Sequence, residues 1–226
     1  MRSRAASPVD ARRRPKRQKG EVRRVQIAQA ALRILAQKGP GRLTAAELAR
    51  EVGIADGTIF RHFKDKREIV LTAVGSLREL FSRDFPPPRT LAPLERLDAL
   101  VRSRLRLALE QPNLYALALG EQLVETVGEA GLAPLRELWA QTEDFVAQCI
   151  RDAQEQGAID ARLAVGPLSL LFAGALQSAA SRCAPGREPR GGPPEAVWQT
   201  LRALLCRTGA PGRAAAREVS ERRAQG

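Results

Sequence analysis

Apolar positions recur along this chain at the spacing of helices. Ile27, Ala31, Ile34 and Leu35 make an inward stripe and predict a helix over about 20–38. Gly39-Pro40-Gly41 stops it, because proline has no amide donor to continue a helix and glycine accepts the turn. Thr44 with Glu47 three residues on reads as a capping box, in which hydroxyl and carboxylate each satisfy an orphan backbone donor. Ala45, Leu48, Ala49 and Val52 then give a small apolar face, Gly53 ends the helix, and Ile54 plugs the corner. A second short helix follows over about 55–62. Asp65, as an N-cap, and Glu68 open another that reaches about residue 81, with Ile69, Val70, Ala73, Leu77 and Leu80 on its face.

Asp84-Phe85-Pro86-Pro87-Pro88 is a stiff break and the expected domain boundary. Beyond it, Leu94, Leu97, Val101, Leu105 and Leu109 form one stripe, Pro112-Asn113 interrupts, and 114–127 makes a shorter helix. Gly128 and Gly131 are expected to loosen the chain. Leu135, Leu138, Trp139, Phe145, Val146, Cys149 and Ile150 mark a long helix ending near Gly157. The stretch 162–183 is apolar nearly all round and rich in Ala, Gly and Ser, so it is predicted to be buried on most sides. A Pro/Gly-rich loop follows over 184–194, then a helix over 195–207 offering Val197, Leu201, Leu204 and Leu205. Strand-like alternation is absent, so the fold class is all-α.

Composition adds a second layer. The 226 residues carry a formal net charge of +12, which favours a polyanionic partner. Residues 1–24 hold ten basic and two acidic side chains, so most of the excess lies there. Residues 1–19 have almost no large apolar side chain and are expected to be a disordered basic arm. That arm is either a solubilising tail or a phosphate ligand reaching toward a DNA minor groove. Residues 209–226 are expected to be a flexible tail.

Two short helices joined by a Gly-containing turn, here 44–63, are a helix-turn-helix, whose second helix enters the DNA major groove. The residues Ala30-Ala31, Gly39, Thr44, Leu48-Ala49, Gly53, Gly57-Thr58, Phe60, His62-Phe63, Lys66 and Ile69 also carry a family likeness. On them, the stretch 27–69 resembles the TetR-type transcriptional regulators. It departs from their pattern at Ala55, where an N-capping Ser is usual, at Phe60 for Tyr, at Pro40 for an aromatic and at Leu43 for Thr. The resemblance implies a three-helix DNA-binding domain over 20–81, followed over 89–208 by a helical bundle for dimerisation and ligand binding.

The DNA-binding set expected on this basis is Thr44, Ala45, Asp56, Gly57, Thr58, Phe60, Arg61, His62 and Lys66. Arg61 can pair bidentately with guanine, or stay solvated. Thr58 offers a hydroxyl for phosphate and a methyl for thymine, or a local cap bond. Phe60 packs on sugar or a thymine methyl, or belongs to the core. His62 reaches DNA, as the resemblance implies, or caps a helix end. Lys66 at a helix start suits a phosphate, and Asp56 reads a cytosine amine or repels wrong sites.

Tyr115, Trp139, Phe145 and Phe172 are the candidates for a ligand cavity, with ordinary core as the alternative. The small-residue face Leu171, Gly174, Ala175, Ser178 and Ala179, with Leu201 and Leu205, is the expected dimer interface.

Cys149, Cys183 and Cys206 show no metal spacing and suggest a reducing cytoplasm without disulfides. No stretch has the length and apolarity of a membrane span or a signal-peptide core. No nucleophile elbow, P-loop or zincin motif occurs, so neither an enzyme nor a metal or cofactor is expected. Taken with the resemblance, the expectation is a cytoplasmic homodimeric repressor that leaves a palindromic double-stranded DNA operator when a small-molecule effector binds. An architectural DNA-binding protein without effector is the main alternative, and a small helical enzyme the remote one.

Overall fold

The computed structural model describes residues 9–183 and 193–207. Among the described residues every regular element is helical: α1 (Val9–Lys38), a 3₁₀ turn (Pro40–Arg42), α2 (Ala45–Val52), α3 (Asp56–His62), α4 (Lys66–Ser82), α5 (Pro93–Glu110), α6 (Pro112–Leu119), α7 (Gln122–Glu155), α8 (Val165–Ser181) and α9 (Pro194–Arg207). The chain forms two compact units, Met1–Arg83 with Gln111–Trp139, and Asp84–Glu110 with Ala140–Gly226.

In the first unit the stripe of α1 is buried as its spacing predicts: Ile27, Ala31 and Ile34 are 0% exposed. Each of the two isoleucines contributes about 1.5–3 kcal/mol when fully buried. α4 packs on α1, and its Ile69, Val70, Ala73, Leu77 and Phe81 are buried. α1 begins at Val9, so residues 9–19 of the arm expected to be disordered are helical. Arg, Lys, Gln and Ala are good helix formers, and a helix anchored in the core propagates outward residue by residue. The rest of that expectation, residues 1–8, and the tail 209–226 lie outside the described residues, as does most of the loop 184–194.

Residues 111–139 cluster with the N-terminal unit. α6 packs on α1, and Phe81 of α4 meets Tyr115 at 5.3 Å and Trp139 at 4.9 Å between ring centroids. The helix expected over 114–127 is divided: α6 ends at Leu119, and α7 starts at Gln122. Gly128 interrupts the helix as expected, whereas Gly131 stays helical. Gly128 kinks α7 at φ 70, a conformation that favours glycine, and a Cβ on Gly131 would stand 2.6 Å from the Cβ of Val127.

The second unit is built from α5, the later part of α7, α8 and α9. Leu97, Leu100, Val101, Leu105 and Ala108 line α5, while Leu109 is 54% exposed instead of joining the stripe. Arg104 takes an inner place, 4% exposed, with its guanidinium carbon 5.6 Å from the centre of the Phe85 ring. A count of apolar spacings skips a charged residue and therefore drifts. Trp198 ties α9 to α5 by donating from Nε1 to Asp98 at 2.7 Å.

Candidate nucleic-acid interface

The turn between α2 and α3 forms for local reasons. The Thr44 hydroxyl accepts from the Glu47 amide at 3.2 Å, but the expected reciprocal bond is not made: the Glu47 carboxylate accepts from Lys38 and Arg50, and the Thr44 amide donates to the Arg42 carbonyl at 2.9 Å. Gly53 closes α2 in the left-handed region at φ 72, and the Ile54 amide returns to the Ala49 carbonyl at 2.9 Å. Ala55 supplies no side-chain cap to α3, as expected from the missing Ser; Asp56 in the first turn complements the helix dipole. α3 is seated by Ile59 (0% exposed) and by Phe63 just beyond it (1%). Asp56, Gly57, Phe60 and Arg61 consequently face outward, with Thr58 and His62 half-buried at the edges. Phe60 is 59% exposed, which rules out its core alternative.

Of the other expected residues, Thr44 is exposed at the α2 start and Ala45 is half-buried. Lys66 is exposed at the first position of α4, its Nζ donating to the Pro40 carbonyl at 3.1 Å. The surrounding charges divide into two kinds. Glu47 holds Lys38 and Arg50, Glu51 holds Arg33 at 2.8 Å, and Glu68 holds Arg24 at 2.8 Å. Among the described residues the side chains of Arg42, Arg61 and Lys64 are exposed and form no ion pair, although the Lys64 amide donates to Glu68. The sequence reading missed Arg42 and Lys64, although their positions beside the capping box and in the run Phe63-Lys64-Asp65-Lys66 were visible.

Hydrogen bonds from Lys38 and Arg50, in that order, hold the Glu47 carboxyl below its ordinary value. For Glu68 the larger cause is the backbone amide of Lys64, at 2.8 Å, followed by Arg24. Both carboxylates are therefore ionised and occupied at neutral pH.

In the second unit a cavity of about 260 Å³ opens beside α8. It exists because Gly166, Ser169 and Ala173 are small where Phe172 and Leu176 are large. Leu100 of α5 and Thr142, Glu143 and Val146 of α7 complete the wall. Of the four aromatic candidates only Phe172 lines it. Phe145 stacks on Phe85 at 5.4 Å, and Tyr115 and Trp139 stand in the first unit against Phe81, so the expected aromatic cavity is not assembled. Aromatic character marked these residues, but the helix face each occupies depends on distant partners.

The expected dimer residues also divide. Leu171 (65% exposed), Gly174 and Ser178 face outward. Ala179 (2%) and Leu205 (8%) are buried within the chain, and Ala175 and Leu201 line a gap beside Trp198 between α8 and α9. Leu170 and Leu204, 74% and 60% exposed, join the outward set unforeseen. α8 was expected to be buried on most sides; within one chain its outer face is open.

Burial pushes the Cys149 thiol up to about 11. Cys206 is exposed. Among the described residues no group of His, Cys, Asp and Glu could hold a metal ion, and no helix is long and apolar enough to cross a membrane.

Residues 27–73 match the family model of bacterial regulatory proteins, tetR family. The chain is 39% identical over 63 residues to the HTH-type transcriptional regulator TtgR of Pseudomonas putida, covering 28% of this chain and 30% of that protein. Over 149 residues it is 26% identical to the nucleoid occlusion factor SlmA of a Marinomonas species, covering 64% and 74%. The matched segments span between 25% and 74% of the curated relatives' own lengths. In fold it is similar to AibR in complex with isovaleryl coenzyme A and operator DNA, with a TM-score of 0.65 at 17% identity over 81% of this chain and 98% of that one.

Proposed function

We propose that this chain, whose N-terminal domain belongs to the tetR family of bacterial regulatory proteins, is a cytoplasmic homodimeric repressor that binds a palindromic operator and is released by a small-molecule effector. The observation that carries the DNA-binding reading is the outward face of α3. Asp56, Gly57, Phe60 and Arg61 stand clear on a helix seated by Ile59 and Phe63, beside the exposed cations Arg42 and Lys64. Arg61 reads a base edge, Thr58, His62 and Lys66 hold phosphate or sugar, and the basic start of α1 adds sequence-independent attraction. This division of labour places recognition in 20–81 and dimerisation with effector binding in 89–208. Catalysis has no role in it.

The effector site is the cavity beside α8. Its described lining contains Glu143, Thr142 and Ser169 and no lysine or arginine. That chemistry suits a compact ligand with an apolar body and a neutral or cationic polar group. The phosphates of a coenzyme A thioester, as in the AibR complex, would meet no basic side chain there. α7 lines the cavity at Thr142, Glu143 and Val146. Ahead of the kink at Gly128, the Val127 carbonyl accepts from Arg67 of α4 at 3.4 Å. An effector shifts the balance only by binding the DNA-incompetent arrangement more tightly, and operator DNA must then weaken the effector by the same factor.

A second reading is an architectural DNA-binding protein without effector; the chain is similar over 149 residues to a protein described as a nucleoid occlusion factor. The test is a screen of small amines and neutral amphiphiles for release of the full chain from a duplex that it binds selectively. The repressor reading expects release by some of these compounds, abolished by Ala173→Phe, which fills the cavity. Release that survives Ala173→Phe removes the assignment of the site, and no release by any compound favours the second reading.

A further inference from the structure

We propose that Arg24 is a positioning residue for DNA reading: it fixes the end of the recognition helix without touching DNA. This rests on the reading of α3 as that helix. One guanidinium nitrogen of Arg24 donates to the carbonyl of His62, the last residue of α3. A second donates to Glu68 in the first turn of α4 at 2.8 Å. The guanidinium carbon lies 4.1 Å from the centre of the Phe63 ring, which is 1% exposed. A single side chain of α1 thus joins the last carbonyl of α3, the ring that follows it and the start of α4.

Each contact has a physical reason. The last carbonyls of a helix have no intrahelical donor, and a cation there complements the helix dipole. The planar fork of arginine gives two in-line donors and a face to stack on a ring, which an ammonium cannot reproduce. Glu68 is itself fixed from the other side, its second oxygen accepting from the Lys64 amide at 2.8 Å. Only residues 63–65 separate α3 from α4, so this clamp determines how the last turn of α3, with Arg61 and His62, is presented. The Glu68 carboxylate neutralises the Arg24 charge, so Arg24 adds no net attraction for phosphate. Its removal should cost selectivity rather than general affinity, because a reading helix turned by a few degrees still meets a polyanion but misses its base edges.

The experiment compares wild type, Arg24→Met, Arg24→Lys and Glu68→Gln in the full chain. Affinities are measured for the duplex that wild type selects from random DNA and for a scrambled duplex of the same composition, across a potassium chloride series. Arg24→Met is expected to lose about tenfold or more on the selected duplex and little on the scrambled one, with the salt slope unchanged. Arg24→Lys stays closer to Met than to wild type. Glu68→Gln, close to isosteric and safe for folding, shares the loss, and the double variant adds little to it. A salt slope reduced by about 0.9 in Arg24→Met would make Arg24 a phosphate ligand and overturn the proposal. So would equal losses on both duplexes, or full selectivity in Glu68→Gln. A wild type that binds both duplexes alike removes the reading of α3 and this proposal with it. A selective wild type with an equally selective Arg24→Met variant removes this proposal alone.

Discussion

Around α3 the three neighbouring glutamates are already engaged: Glu47 by Lys38 and Arg50, Glu51 by Arg33, Glu68 by Arg24. Along α8 there is no charged side chain from Val165 to Ser181, and the outward groups include Leu170, Leu171, Ala173, Gly174, Gln177 and Ser178. The first surface is arranged so that an approaching phosphate meets free cations and few unpaired carboxylates. The second offers leucines and small residues whose water is lost favourably only to another apolar face. The same all-helical architecture thus presents one face whose partner is chosen by charge and one whose partner is chosen by shape. On the proposed reading the two depend on each other, because a palindrome would be read only when the second face held two copies of the first at the right separation.

The largest effect should come from breaking the second face. A Cβ at Gly174 meets nothing within 4 Å, so the chain's own packing accepts a side chain there. Gly174→Arg places two like charges across a two-fold contact, and we expect monomers in sedimentation and operator binding weaker by about 100-fold or more. Ala179→Arg is the contrast: at 2% exposure it should unfold the second unit rather than separate a pair of intact chains. A stable dimer in Gly174→Arg would move the interface elsewhere.

Next in size is the removal of one reading side chain. Arg61→Ala should cost about 1–3 kcal/mol on the operator and relax preference at a single base position, seen by titrating single-site operator variants. Thr58→Ala, half-buried at the helix edge, should cost less.

A smaller effect separates the two kinds of cation. Lys64→Ala should lower the salt slope of DNA binding by about 0.9 and weaken all sequences alike. Arg33→Ala should change the slope less, because Glu51 pairs with that charge one to one. Equal slopes in both variants would show that ion pairing within the unit does not decide which cations meet DNA.

The smallest concerns pH. Glu47 and Glu68 are held below the ordinary carboxylate value of 4.5. A lowered folded-state value means that their contribution to stability is complete above about 4.5 and is lost as pH falls through the folded-state value. Thermal melting of the wild type should therefore weaken as pH drops below that range, and Glu68→Gln should show a shallower dependence. An identical profile in the variant would remove Glu68 from the acid response.

What was legible in the sequence was what lies within a few residues of itself. Thr44 with Glu47, Gly53, and Asp65 with Glu68 close their bonds inside one helical turn, so the caps and the helix-turn-helix could be read directly. The inward stripes of α1 and α4 followed from spacing alone. The Arg24 clamp could not be read, since its partners lie 38 and 44 residues away. Nor could buried Arg104, whose charge argues for the surface until Phe85 is brought beneath it. Ala175 and Leu171 look alike as small or apolar residues of one helix. Only the packing of α9 decides that one faces inward and the other outward. The family likeness, not the spacing, pointed to dimerisation and an effector.

The most direct measurement is selection of bound duplexes from a random library by the full chain, repeated with Arg61→Ala. The account predicts an enriched palindrome with half-sites about one helical turn apart, roughly 10–10.5 base pairs centre to centre. The variant should lose one symmetric pair of base preferences and keep the rest. No enriched sequence in wild type, or the same sequence enriched equally well by the variant, would contradict the assignment of α3 as the element that reads DNA.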